Sequence, residues 1–326
     1  MDNLTHSLVG AVIGQTGLKR KTGLAMPTLI IAANLPDIDI GYLIYGQESI
    51  GLRRGLTHGP LAMLVLPVML WAIMLWFDGW QTKRGKRPEK RLPIRKGWLL
   101  ALAYIGCLSH PIFDWLNSYG VRLLEPFSSQ WFYGDSIFII DIWMMGAIAI
   151  GVWLSLRRER SGREDWSRPA QAAFLTVCTY IFANGVITGT AEAQATSKLL
   201  AHHSSGATIP APLVVANPVP FQFWRREILW RNDGQYGNGR YNVLSGLDLD
   251  LSGTPTNMAD PLVAKSAQAD PAVRAFLFWS RMPIVKIEKL PSGAQKILTD
   301  QRFANPMVRG RFEMVLPDGA PDGVPE

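Results

Sequence analysis

His110-Pro111-Ile112-Phe113-Asp114 sets an imidazole and a carboxylate four residues apart. On a helix that spacing puts both on one face, within reach of one ion or one hydrogen bond. Pro36-Asp37-Ile38-Asp39 adds two carboxylates, and the triplet Leu-Thr-His occurs twice, ending at His6 and at His58. Imidazole nitrogen mixed with carboxylate oxygen suits Zn²⁺, Mn²⁺ or Fe²⁺ better than Ca²⁺. The expected ligands are His6, Asp37, Asp39, His58, His110 and Asp114, with Zn²⁺ or Mn²⁺ as the ion. Such a set serves one ion or two, and two ions about 3.5–4 Å apart suit phosphoester hydrolysis by clamping the attacking and leaving oxygens. Asp135, Asp141 and Arg54 are the further catalytic candidates: Asp141 as a partner that orients a histidine, Arg54, next to Arg53, as a phosphate binder. Plainer readings stand beside these. Pro-Asp-x-Asp is also turn and cap chemistry, a lone membrane-edge histidine is also an interfacial group, and paired arginines are also interfacial anchors. His202 and His203 read as solvated.

The elements that must position these residues are apolar runs. Pro60–Phe77, Gly97–His110, Ser136–Leu156 and Ala170–Ala191 are the candidate membrane spans, against a bilayer that asks for about 20 apolar residues. The second extends past His110 into Pro111–Leu116. Leu4–Leu18 and Leu24–Leu35 are shorter and suit tilted helices or a re-entrant pair shielded by protein. Of the nineteen Lys and Arg before residue 190, sixteen fall in Lys19–Lys21, Gln81–Lys96 and Arg157–Arg168. By the positive-inside rule these loops are cytoplasmic. Pro36–Gly59 and Pro111–Asp135 then face outward, and one further crossing delivers the C-terminal part to the periplasm. His6, Asp37, Asp39, His58, His110 and Asp135 all fall at the outer ends of their runs. Ionisable groups at membrane depth are costly unless paired or functional.

The chain is 48% hydrophobic with a net charge of +7, yet its mean hydropathy is only +0.09. Apolar runs concentrated before residue 200, and polar sequence rich in Pro and Gly after it, explain that average. The charge sits in loops between runs, a topology signal that excludes a nucleic-acid surface. Cys107 and Cys178 lie apart within apolar runs, so neither a disulfide framework nor a thiolate zinc site is indicated. The opening Met1-Asp2-Asn3 has no basic n-region and predicts no cleavable signal peptide.

Residues 1–204 therefore read as a helical transmembrane domain and 205–326 as a periplasmic β-rich or α+β domain. In the latter, strands are expected at Phe221–Trp230, Arg240–Leu244, Pro283–Leu290, Ala294–Gln301 and Arg311–Leu316. Turns are expected at the Gly-rich Asn232–Gly239 and at Pro291-Ser292-Gly293, and one short helix at Pro271–Ser280.

Five motifs occur in order: Met1-Asp2-Asn3-Leu4-Thr5-His6-Ser7, Pro36-Asp37-Ile38-Asp39, Arg54-Gly55-Leu56-Thr57-His58, His110-Pro111-x-x-Asp114-x-x-Asn117-x-Tyr119-Gly120 and Tyr133-Gly134-Asp135-Ser136. Together they resemble the bacterial family of membrane-bound, metal-dependent hydrolases that includes a LexA-regulated inner-membrane member. The resemblance is strong over roughly residues 1–150. It implies a multi-span helical protein with metal ligands among these His and Asp residues. Where that family commonly has His-Arg-Gly before the second histidine, this chain has Arg53-Arg54-Gly55, so one possible ligand is absent. The leading expectation is a metal-dependent hydrolase in the inner membrane, working at its outer face on a phosphoester of a lipid or membrane-associated substrate. An ion-coupled transporter and a non-catalytic envelope scaffold with a structural metal are the alternatives.

Overall fold

The computed structural model describes residues 1–203, 211–290, 293–304, 310 and 312–316. Helices come first: α1 (Asn3–Gln15), α2 (Ala25–Asn34), α3 (Ser49–Leu52), α4 (Pro60–Lys83), α5 (Lys96–Trp115), α6 (Ile142–Arg160) and α7 (Arg168–His203). Strands β1 (Leu213–Pro218), β2 (Arg225–Asn232), β3 (Gln235–Asn242), β4 (Gly246–Leu249) and β5 (Thr254–Pro255) follow. Then come α8 (Pro261–Ala269), α9 (Pro271–Trp279), β6 (Pro283–Leu290), β7 (Gly293–Asp300) and β8 (Glu313–Leu316).

Two compact units divide the chain. One holds residues 1–40, 54–186 and 220–223; the other holds 41–53, 187–219 and 224–326. The division falls inside α7, after Val186, where a cut after residue 204 is expected from composition.

In the helical unit, Asp2 caps α1 by accepting from the Leu4 and Thr5 amides, each at 3.1 Å. Val9, Val12, Leu29, Leu102, Met144, Ile148 and Val177 join α1, α2, α5, α6 and α7 in one core. Ala32, Leu66, Leu70, Leu99 and Ala103 join α2, α4 and α5 in another. Among the described residues, three segments are long and apolar enough to cross a membrane: Ala25–Leu52, Pro60–Lys83 and Arg168–His202. This differs from expectation at both ends of the comparison. Leu24–Leu35 gains its length by continuing as a 3₁₀ segment, Leu35–Glu48, broken at Gly46. Gly97–His110 and Ser136–Leu156 are helical in α5 and α6 but fall outside that group. Capped by Asp141, α6 starts at Ile142, six residues after the apolar run begins, and Arg157, Arg158 and Arg160 occupy its last turn.

In the second unit, β1-β2-β3-β4 form an antiparallel sheet with β5 added to β3, and β6-β7-β8 form another. The end of α7 covers the first sheet, with Ala191, Ala195 and Leu199 packed on Ile228 and Trp230. Asn232–Gly239 is mostly strand, not a turn. The chain reverses at Asp233-Gly234, and a Cβ on Gly237 would stand 2.4 Å from the Trp230 ring, so that glycine admits the indole to the sheet. The helix expected at Pro271–Ser280 is α9, and α8 precedes it where none is expected; each is capped by an aspartate followed by proline. Pro291, Ser292 and Arg311 lie outside the described residues. At Asp300 both carboxylate oxygens accept from Arg302, each at 2.9 Å, in a fully buried pair.

Candidate metal centre

α2 lies against both α1 and α5, which sets three ligand-bearing segments side by side. His6 rises from the first turns of α1, Asp37 and Asp39 from the 3₁₀ segment after α2, and His110 and Asp114 from the last turns of α5. His58 closes a short 3₁₀ turn, Leu56–His58, just before α4. Gly59 allows this turn to press on a neighbouring loop, since a Cβ there would fall 1.9 Å from the Glu125 carbonyl oxygen.

Asp37, His58, His110 and Asp114 each turn one donor atom into a common space, and these four atoms lie within 4.8 Å of one another. In a tetrahedral site, donors about 2.0–2.2 Å from the ion stand about 3.3–3.6 Å apart, so the widest pairs of this group would close by roughly an ångström around a bound ion. Asp114 is the hub. Its Oδ2 is 3.3 Å from His58 Nε2 and 3.5 Å from His110 Nε2, while Oδ1 is 3.4 Å from His6 Nε2. The Met1 amino group also pairs with Asp114 Oδ1. His110 Nε2 stands 3.7 Å from Asp37 Oδ1. The His6 and His110 rings stack with centroids 3.8 Å apart, and those of His58 and His110 meet edge to face at 5.0 Å.

The donor set fits a divalent cation on its hydrogen bonding. A carbonyl oxygen only accepts, so His110 Nδ1, 2.6 Å from the Ala33 oxygen, carries the proton. That leaves the Nε2 lone pair facing the cluster, and Nε2 has no hydrogen-bond partner among the described residues. Both ring nitrogens of His6 are likewise buried without a hydrogen-bond partner among the described residues, which is costly in a protein interior. His58 Nδ1 lies 3.0 Å from Thr57 Oγ1 and 3.6 Å from Asp39 Oδ2, so Asp39 stands behind His58. Asp39 Oδ2 also accepts from the Arg54 amide at 2.7 Å.

The three catalytic candidates fall in different places. Arg54 is buried with Nε 2.9 Å from Asp114 Oδ2. Its Nη1 donates to Asn117 Oδ1 at 3.1 Å, and its guanidinium covers the Tyr119 ring at 4.6 Å. The expected phosphate binder is thus engaged in holding a carboxylate. Asp135 is buried in a segment held to the end of α5, where Gly134 N donates to Trp115 O at 2.7 Å and Ser136 N to Leu116 O at 2.9 Å. Asp141 is engaged as a helix cap: Oδ1 accepts from Met144 N at 2.9 Å and Oδ2 from the Tyr180 hydroxyl at 2.8 Å. Those bonds, and not a histidine, take up its two oxygens.

Asn117 and Tyr119, the neighbours of Arg54, are residues that residue chemistry alone did not single out. Asn117 lies just past the end of α5, whose C-cap is Leu116, and reaches the site through its bond to Arg54.

Comparison with curated proteins and with solved structures gave no significant match. The family model described as YdjM inner membrane protein matches residues 1–191, more than half of the chain and all of this cluster, and the chain therefore belongs to that inner-membrane family.

Proposed function

We propose that this protein is a metal-dependent hydrolase of the inner membrane that cleaves a phosphoester at the outer face. The observation that carries the reading is the buried group of Asp37, His58, His110 and Asp114, with its donor atoms within 4.8 Å of one another. Those four residues would hold the ion, with His6 beside them; their mixed nitrogen and oxygen donors suit Zn²⁺ or Mn²⁺. When bound, such an ion supplies Lewis acidity and activates water near neutral pH. The chain's own residues set the stage for it. The Ala33 carbonyl fixes the tautomer of His110, Asp39 and Thr57 orient His58, and Arg54 holds Asp114 in register. The outer-face assignment is supported by the basic loops, Gln81–Lys96 and Arg157–Arg168, under the positive-inside rule.

A structural metal in a non-catalytic scaffold is the second reading, favoured by the near-complete burial of all three imidazoles, since structural sites are closed. The full chain, purified in detergent and loaded with Zn²⁺ or Mn²⁺, separates the two. Bound metal with turnover of bis(p-nitrophenyl) phosphate, both lost in His110→Ala, is the expected result. Stoichiometric metal without turnover of any phosphoester leaves the scaffold, and no metal retained ends both. Reporter fusions after residues 88, 162 and 215 test orientation. Activity of the last reporter only in the cytoplasm would overturn the outer-face assignment.

A further inference from the structure

The two ends of the first sheet differ in kind. At one end β2 turns into β3 through Asp233-Gly234, and both residues are exposed. At the other, β3 turns into β4 through Val243-Leu244-Ser245, and Phe221 and Phe223 lie just before β2. Leu244 is 92% exposed, Phe221 60% and Val243 48%. Hairpin turns ordinarily select Asn, Asp and Gly. The first turn has such residues; the second holds two aliphatic side chains out of the core. It is a formed turn, since Leu244 N donates to Asn242 Oδ1 at 2.9 Å. Phe221 adds a backbone anomaly, a φ of +63°, which a bulky residue rarely adopts and which persists mainly where function requires it. One exposed leucine is ordinary on any protein. An aliphatic turn beside an outturned, strained phenylalanine is not.

The apolar end is also the one tied to the lipid-facing part of α7. That helix, long and apolar enough to cross a membrane, has exposed side chains at Phe182 and Val186. Farther on, its Ala191, Ala195 and Leu199 are buried under the sheet. Thr188 stands between these stretches, and its Oγ1 accepts from Arg226 Nε at 2.9 Å. Arg226 pairs with Tyr241 and Arg225 with Asn242. The register therefore carries the chain from the residue bound to Thr188 directly into the Val243-Leu244 turn. Val243 N donates to Trp224 O at 3.1 Å. The preceding Phe223 meets the Trp143 ring at 5.9 Å and the Tyr180 ring at 5.7 Å, both edge to face. Trp143 Nε1 donates to Phe221 O at 3.1 Å. Trp143 lies in the first turn of α6 and is exposed, and Trp and Tyr rings at helix ends mark the membrane–water interface. The Asp233-Gly234 turn is a strand length away, about 25 Å.

We propose that the Val243-Leu244 turn, with the Phe221 ring, inserts into the interfacial layer of the adjoining leaflet, so that the sheet-bearing unit grips the bilayer by a hairpin as well as by α7. The partner is the lipid surface itself. Aliphatic and aromatic side chains enter at the boundary of headgroups and acyl chains, while Asn242 and Ser245, on either side of the pair, stay at the polar level. Membership of an inner-membrane family supplies the bilayer, and the bonds of Arg226 and Val243 bring the turn to it. The proposal is independent of the hydrolase reading and of which side of the membrane this unit occupies.

The test uses the full chain in a Cys178→Ser background, reconstituted in phosphatidylethanolamine–phosphatidylglycerol vesicles. A fluorophore is attached through Ser245→Cys, which leaves Val243 and Leu244 in place, or through Asp233→Cys at the opposite turn. Lipids bearing a nitroxide near the headgroup should quench the label at 245 about threefold more than the label at 233, because only the apolar turn inserts. Val243→Ser with Leu244→Ser should bring quenching at 245 down to the level at 233, with the strand signal in circular dichroism unchanged. If the double variant loses that signal, Leu244→Ser alone, a change at a fully exposed position, takes its place. Equal quenching of the two labels overturns insertion. Quenching at 245 that survives the serine substitutions also overturns it, since the turn would then lie near lipid without entering it. Shielding of the 245 label from aqueous iodide without quenching by nitroxide lipid overturns the lipid partner and assigns the turn to a protein contact.

Discussion

Asp114 shows how one side chain organises a site. Three imidazoles, one guanidinium and an amino group converge on its two oxygens. Arg54 is the partner whose removal is most informative, because it touches Asp114 without belonging to the donor group. Partners of metal ligands commonly tune affinity by 10–100-fold. Arg54→Met is therefore expected to weaken metal binding by roughly that factor, read by competition with a chelator, while Arg53→Met leaves it near wild type. Equal affinities in the two variants would mean that Arg54 does not hold Asp114 in its binding position. Asp141 supplies the contrast. As the cap of α6 its loss should cost about 0.5–2 kcal/mol, so Asp141→Ala lowers thermal stability in detergent and leaves metal content unchanged. Loss of metal in that variant would restore the histidine-orienting role that its hydrogen bonds argue against.

At the scale of elements, the site depends on how closely three helices approach. A Cβ on Gly10 would lie 2.7 Å from the Leu29 carbonyl oxygen, and one on Gly106 would lie 2.6 Å from Ala32 Cβ. Small residues on α1 and α5 thus let both helices close on α2, the packing mode of membrane helices. This brings His6 and His110 into ring contact and puts the Ala33 carbonyl under His110. Gly106→Leu should push α5 from α2, cost at least about 1–3 kcal/mol by overpacking, and lower metal affinity through displacement of His110. Gly97, also on α5, has open space beside it, and Gly97→Ala is the matched control. A Gly106→Leu protein with wild-type metal content would show that the α2–α5 approach does not set the site.

Across the whole molecule, the sheet-bearing unit carries its own acid sensitivity. Burial pushes the Asp300 carboxyl upward, but the charge and hydrogen bonds of Arg302, with those of Ser280 and the Met282 amide, overcome this and hold it below the usual carboxylate range. A group lowered in the folded state stabilises that state above its unfolded pKa of about 3.9, and the contribution fades as pH falls through the folded value. Acid should therefore destabilise this unit below about pH 4, followed by the loss of strand signal in far-ultraviolet circular dichroism of the full chain. Asp300→Asn strands a buried guanidinium at a cost of about 3–5 kcal/mol and flattens the acid dependence. An unchanged acid transition in that variant would assign the sensitivity to other carboxylates.

Composition and local pattern alone determined much of this protein. Helical runs before residue 200, strands after it, and the pairing of His110 with Asp114 follow from periodicities of a few residues, which need no knowledge of distant contacts. The full extent of Ala25–Leu52 was not legible, because its apolar count is interrupted by two aspartates that only the folded chain shows turned inward. The Gly-rich stretch looked like a turn because glycine favours turns, whereas Gly237 serves the Trp230 ring on a neighbouring strand. The roles of Arg54 and Asp141 were decided by tertiary structure for the same reason. A charged side chain is defined by what it meets, and Arg54 meets Asp114, 60 positions away, while Asp141 meets Tyr180, 39 away. Sequence gives the types and the local spacing of donors, and only the close packing of α1, α2 and α5 gives their distances.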